Sequence, residues 1–277
     1  MTRTRRSAFR GPAWIGLLIL GALVATAALA PILYPRDPMA MIGPRSLWPF
    51  TNASFPLGTD QLGRDVAAQL VHGARVSLTI GAGAALFAIV LGVLVGVLAG
   101  YCGKLVDDVL IRICEYFQTV PAFFFSLVLV ALLSPSIGSV TLAIGLTTWP
   151  EIARLARAEV LRVKRADFVL AARTMGIGSA RILVSHIVPN SVTPVIVMIS
   201  AVVAHAILVE AALSFLGLGD PNTISWGSMI GNARPLLRTL WYLTALPGLA
   251  IFITVMAVTL IGNGLVDLAN PREAARA

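Results

Sequence analysis

The chain has 277 residues, of which 57% are hydrophobic and only 12% charged. Its mean hydropathy is +0.87. Soluble domains carry about 25% charged residues, so this composition excludes a water-soluble surface of this size. The net charge of +8 comes from 21 Lys+Arg against 13 Asp+Glu, with no basic, aromatic-interleaved soluble stretch to carry nucleic acid. The basic residues read instead as topology signals beside membrane spans.

Arg3, Arg5, Arg6 and Arg10 precede an uncharged run from Gly11 to Pro35. This fits a signal peptide with Ala28-Leu29-Ala30 as its cleavage site, or a retained first span. Pro31 hinders cleavage, and the run is long enough to cross, so retention is the favoured reading. A Pro- and Gly-rich polar stretch from Arg36 to Arg75 reads as a loop with short helical turns. Val76 to Gly103 is charge-free and gives a second span. Its Gly92-x-x-x-Gly96-x-x-x-Gly100 spacing makes a groove for close helix packing.

A short charged segment, Lys104 to Glu115, follows. Tyr116 to Pro150 is uncharged and would be about 52 Å long as one helix, too long for a core of about 30 Å. Ser134-Pro135-Ser136-Ile137-Gly138-Ser139 divides it into spans three and four. Glu151 to His186 is the most charged region. Span five runs from about Ser191 to Leu213, and a polar loop covers about Leu216 to Leu240. Span six begins near Trp241 and ends between Leu260 and Val266. Six spans put both termini on one side, and 15 of the 21 basic residues then share that side, which the positive-inside rule makes cytoplasmic. Cleavage of the first span would leave five and move only the mature N-terminus. Residues 1–75 form the N-terminal arm, first span and extracytoplasmic segment; residues 76–277 form the core with five spans.

Within the charged region, Asp167 to Met175 reads as a helix, interrupted by Gly176-Ile177-Gly178. Ser179 caps a second helix from about Ala180 to Val188, and Pro189 ends it. Such a pair either lies on lipid headgroups or docks a cytosolic partner, with Ala171 and Ala172 allowing close approach and Arg173 and Arg181 meeting acidic rims.

Cys102 and Cys114, and His72, His186 and His205, are scattered and give neither a disulfide framework nor metal-ligand spacing. Glu210 and His205 are ionisable residues in span five, and such residues mark translocation paths by default. Five residues apart, they lie about 140° from each other around a helix. A packed helix interface competes for His205; for Glu210 the competing reading is a paired or solvated position near the outer interface. Asp60, Arg64 and Asp65 suit outer salt bridges or contacts with a binding protein. Trp48, Trp226 and Trp241 suit interfacial anchoring.

Phe168-Val169-Leu170-Ala171-Ala172-Arg173-Thr174-Met175-Gly176, followed by His186-Ile187-Val188-Pro189-Asn190, resembles the EAA loop of binding-protein-dependent ABC importer permeases. Leu170 stands where the family has Glu, so that acid's role does not carry over. Leu57-Gly58-Thr59-Asp60-Gln61-Leu62-Gly63-Arg64-Asp65, Glu210 to Gly219 with Ser225-Trp226-Gly227, and Pro247-Gly248-Leu249-Ala250-Ile251-Phe252 resemble the "C" permeases of dipeptide, oligopeptide and nickel importers. The resemblance implies an all-α membrane protein of six transmembrane helices with the type I importer (MetI-like) fold, in the bacterial inner membrane. It implies ATPase coupling through an EAA loop at about residues 160–190, with Ala171, Ala172, Arg173, Gly176 and Pro189 as the matching positions. It also implies a homologous permease subunit in a heterodimer, two cytosolic ABC ATPases and an extracytoplasmic solute-binding protein. The two lysines, Lys104 and Lys164, lack the P-loop setting, so ATP and Mg fall to the partners and no catalytic, cofactor or metal residue is expected here. The resemblance implies a peptide solute, or alternatively nickel or another metal chelate. A secondary transporter would be expected to carry buried acids or inverted repeats, neither of which is clear. An intramembrane enzyme would need a catalytic constellation, which scattered His and Cys do not supply.

Overall fold

The computed structural model describes residues 11–269. Among them every regular element is a helix, and three isolated β-bridges tie together residues 41–65. α1 (Gly11–Ala28) and the short α2 (Ala30–Leu33) occupy the first charge-free run. α1 is part of the bundle: a Cβ on Gly16 would meet the Ala257 carbonyl oxygen at 2.6 Å. Residues 34–65 make an irregular cap without the expected helical turns. Gly58 and Gly63 turn it at φ +78° and +81°, a region that favours glycine.

α3 (Val66–Cys102) starts ten residues before the expected second span. The cause is Asp65, whose carboxylate accepts the Ala67 N–H at 2.9 Å and caps the helix. At 37 residues, α3 is about 55 Å long and projects beyond a core of about 30 Å. The charged segment that follows is itself an amphipathic helix, α4 (Lys104–Gln118), bent by 81° from α5 (Ala122–Leu133). Pro121 precedes α5 and lacks the N–H needed to continue α4. The loop at Ser134–Ser139 falls where the sequence predicts it, with Ser136 and Ser139 forming a reciprocal cap on α6 (Ile137–Lys164).

α6 does not stop at Pro150 but continues fourteen residues beyond it. The charges there hide an apolar stripe of Ile152, Ala156, Val160 and Val163, all buried, at helical spacing. That stripe meets the glycines of α3. A Cβ on Gly92 would lie 2.7 Å from that of Ile152, Gly96 abuts Ala153 and Ala156, and a Cβ on Gly100 would lie 2.8 Å from Val160. The two helices therefore run parallel in close contact.

α7 (Asp167–Thr174), α8 (Ser179–Ile182), a π turn (Leu183–Ile187) and α9 (Val188–Ser191) make a compact knob. α10 (Thr193–Phe215) returns through the bundle to α11 (Trp226–Ala233) and a 3₁₀ turn (Arg234–Leu236), and α12 (Tyr242–Ala269) closes it. α3, α10 and α12 are long and apolar enough to cross a membrane, and the bent α4–α5 pair passes together. With α1 and α6 packed beside them, the chain is an all-α membrane protein with six spanning helices. The knob and α4 lie at one end of the bundle; the 34–65 cap and α11 lie at the other.

Candidate functional site

The knob is organised by one turn. Gly176 sits at φ +77°; its N–H donates to Arg173 O at 3.0 Å and the Ile177 N–H donates to Ala172 O at 3.2 Å. This is the Schellman arrangement that ends a helix on glycine. No atom lies within 4 Å of the place a Cβ would take, so glycine serves the backbone's handedness and not close approach. Ala171 and Arg173 are exposed, as a docking surface requires. Ala172 is not: it is 2% exposed and packs with Val160, Val163, Val169, Ile182 and Ile187. Its small size serves the knob's own interior.

Pro189 does not end the second helix. The chain widens into the π turn, the Val188 N–H reaches Leu183 O, and Pro189 sits in the first turn of α9, where its missing N–H is tolerated. Ser179 is the first residue of α8 rather than its cap; Gly178 precedes it without a side-chain bond. The Ser179 carbonyl accepts the Tyr101 hydroxyl at 2.6 Å, and Lys164 Nζ donates to Tyr101 O at 2.9 Å. The first bond fastens the knob to the end of α3, and the second ties that end to α6. The outer surface of α7 and its turn presents Phe168, Leu170 and Met175, the last 72% exposed.

His205 and Glu210 take different environments. Glu210 is fully buried, not at an interface with water. Its carboxylate accepts the Ser77 hydroxyl at 2.9 Å and the Ser214 hydroxyl at 2.8 Å. Ser77 in turn accepts the backbone N–H of Trp226 at 3.2 Å. The network joins α3, α10 and the start of α11, and it removes Glu210 from any open path. Trp226 is likewise buried, its indole N–H donating to Leu70 O at 2.9 Å, so it does not anchor at an interface. His205 is exposed and lines a cavity between α6 and α10 together with Glu151 and Thr147.

At the α11 end, Asp60, Arg64 and Asp65 make none of the ion pairs found among the described residues. Asp60 accepts the N–H groups of Leu62 and Arg64 and the Gln69 amide. Burial raises the Asp65 pKa above the ordinary carboxylate value, opposed by the Ala67 and Ala68 N–H groups. These acids shape the cap instead of forming salt bridges.

A family profile described as "binding-protein-dependent transport system inner membrane component" matches residues 92–274. The di/tripeptide transport system permease protein DppC of Pseudomonas aeruginosa is 36% identical over 263 residues, covering 93% of this chain and 87% of that protein. The chain belongs to this permease family. The dipeptide transport system permease DppC of Bacillus subtilis is 35% identical, with 94% and 82% covered. A probable peptide ABC transporter permease of Sinorhizobium fredii is 40% identical, with 90% and 85% covered. Among solved structures, an inward-facing conformation of the MetNI methionine ABC transporter superposes with a TM-score of 0.56 at 16% identity, covering 71% of this chain and 96% of that one. This supports the MetI-like fold of the permease.

Sequence reasoning missed Glu151 as a candidate because it opens the charged run and reads as its first loop residue. A helical repeat continued past Pro150 is the signal that places it inside the bundle. The exposed Phe168 and Leu170 were also passed over, since the family's acid is absent there.

Proposed function

We propose that this permease forms half of the path of an ATP-driven, binding-protein-dependent importer for dipeptides and oligopeptides. The observation that carries coupling is the knob: an exposed apolar surface of Phe168, Leu170 and Met175, beside Ala171 and Arg173, mounted on a buried base. An apolar patch rimmed by charge suits a protein partner. In this reading two cytosolic ATPases seat the knob in their clefts and bind ATP and Mg, a homologous permease completes the path, and a solute-binding protein docks at the α11 end. The chain itself performs no catalysis. The basic residues concentrated at the knob end support a cytoplasmic knob with both termini on that side. The names of the relatives support a peptide cargo.

The path runs along the His205 face of α10 and not past Glu210, whose carboxylate is enclosed. The test replaces exposed knob residues, so that the bundle is undisturbed. Leu170→Asp and Met175→Asp should reach the membrane in normal amount yet lower ATP-driven peptide uptake at least ten-fold. Wild-type uptake by both variants would contradict coupling through the knob.

A further inference from the structure

Glu151, Thr147 and Thr148 on α6, with Met198, Ala201 and His205 on α10, line an open cavity of about 250 Å³. Glu151 lies fourteen residues into α6, about 21 Å along its axis. His205 stands about 18 Å from the Thr193 end of α10 and about 15 Å from the Phe215 end. The cavity is therefore deep in the bundle and not at a rim.

The threonine hydroxyls are already engaged: Thr147 with Ser126 at 3.0 Å and Thr148 with the Ile144 carbonyl at 2.8 Å. Glu151 is different. It is exposed, and no hydrogen bond or ion pair engages it among the described residues, although Arg154 is three positions away. A carboxylate facing hydrocarbon at this depth is costly, so this face meets water or a charge.

We infer that Glu151 is the counter-charge for the ammonium group of the solute in transit, with His205 across the cavity as a second polar contact. The inference rests on the His205 face being the translocation path. One carboxylate on a wall whose other polar groups are His205 and two threonines with engaged hydroxyls suits passage: it offsets the loss of water around the ammonium group, and a single charged contact releases easily. The cavity has room for one end of a small peptide and not for tight enclosure of all of it.

The test uses the complete transporter reconstituted in proteoliposomes, with its binding protein at saturation and a casein digest of unsubstituted di- and tripeptides as cargo, uptake being read by mass spectrometry. Glu151→Gln should lower uptake at least ten-fold and Glu151→Lys further, while Glu151→Asp should stay within about three-fold of wild type. The complex should still co-purify with both ATPases and the second permease. Uptake by Glu151→Gln within two-fold of wild type overturns the inference. So does loss of the second permease on purification, which would make Glu151 an inter-subunit ion-pair partner.

A separate measurement tests the path itself. Ala201→Cys, in a chain carrying Cys102→Ser and Cys114→Ala, should react with a membrane-impermeant thiol reagent during turnover. No reaction removes the path reading and the inference with it; reaction combined with normal Glu151→Gln uptake removes only the ammonium site. Failure of wild type to import any of the peptides removes the peptide cargo and the inference together.

Discussion

Ala171 and Ala172 are adjacent and identical in type, yet burial separates their roles. Ala172 is enclosed by Val160, Val169 and Ile187, whereas Ala171 faces outward. Ala172→Leu should overpack the knob by about 1–3 kcal/mol and expose the Gly176 turn to limited proteolysis. Ala171→Leu should leave the digestion pattern unchanged and act on uptake alone. Equal protease resistance in both would mean that Ala172 is not enclosed. Ser77 presents a second case. Removing its hydroxyl leaves the Trp226 N–H and one Glu210 oxygen without their partner. Ser77→Ala should therefore cost about 1–3 kcal/mol, visible as a lower melting temperature in detergent; an unchanged melting temperature would contradict the network. None of this was legible locally. Glu210 reads as an ionisable residue in a span; Ser214, one turn on, is a local partner, but Ser77, 133 positions away, is not visible from the span itself.

Helices were more legible than single residues. The long apolar runs locate α1, α10 and α12, and the Ser-Pro-Ser turn locates the start of α6, because apolar length and turn chemistry are local properties. Two departures share a cause: the charged segments from Lys104 to Glu115 and after Glu151 do not read as spanning or span-extending helix. The second half of α6 is charged on one face and packed on the other, so its helicity depends on partners elsewhere in the chain; α4 is amphipathic, but of its residues only Cys114 is buried, and Leu105, Val109 and Ile113 are exposed. Gly176 ends α7 as the sequence predicts, while Pro189 fails to end the next helix because a π turn absorbs it. The α3–α6 seam gives a prediction at this scale. Gly96→Leu should force the parallel helices apart and yield little folded protein, since its Cβ would abut Ala153 and Ala156. Gly178→Ala, with nothing within 4 Å, should accumulate to wild-type level in membranes. Comparable yields of the two variants would show that the seam is not tight.

At the scale of the whole molecule, the six spans leave the knob at one end, the 34–65 cap and α11 at the other, and the His205 face open between α6 and α10. In the proposed reading, the knob meets a cytosolic partner and the other end an extracytoplasmic one, at opposite ends of the α3–α6 seam. In the same proposed reading, the polar side chains on the open face meet a second permease across a water-filled path. The central claim is that ATP hydrolysis by partner subunits drives import through this chain. The most direct measurement is peptide accumulation in proteoliposomes holding this permease, its homologous permease, the two ATPases and the binding protein, with an ionophore present to collapse ion gradients. Accumulation that requires ATP and survives the ionophore is the predicted result; accumulation that follows an imposed ion gradient without ATP would contradict the account.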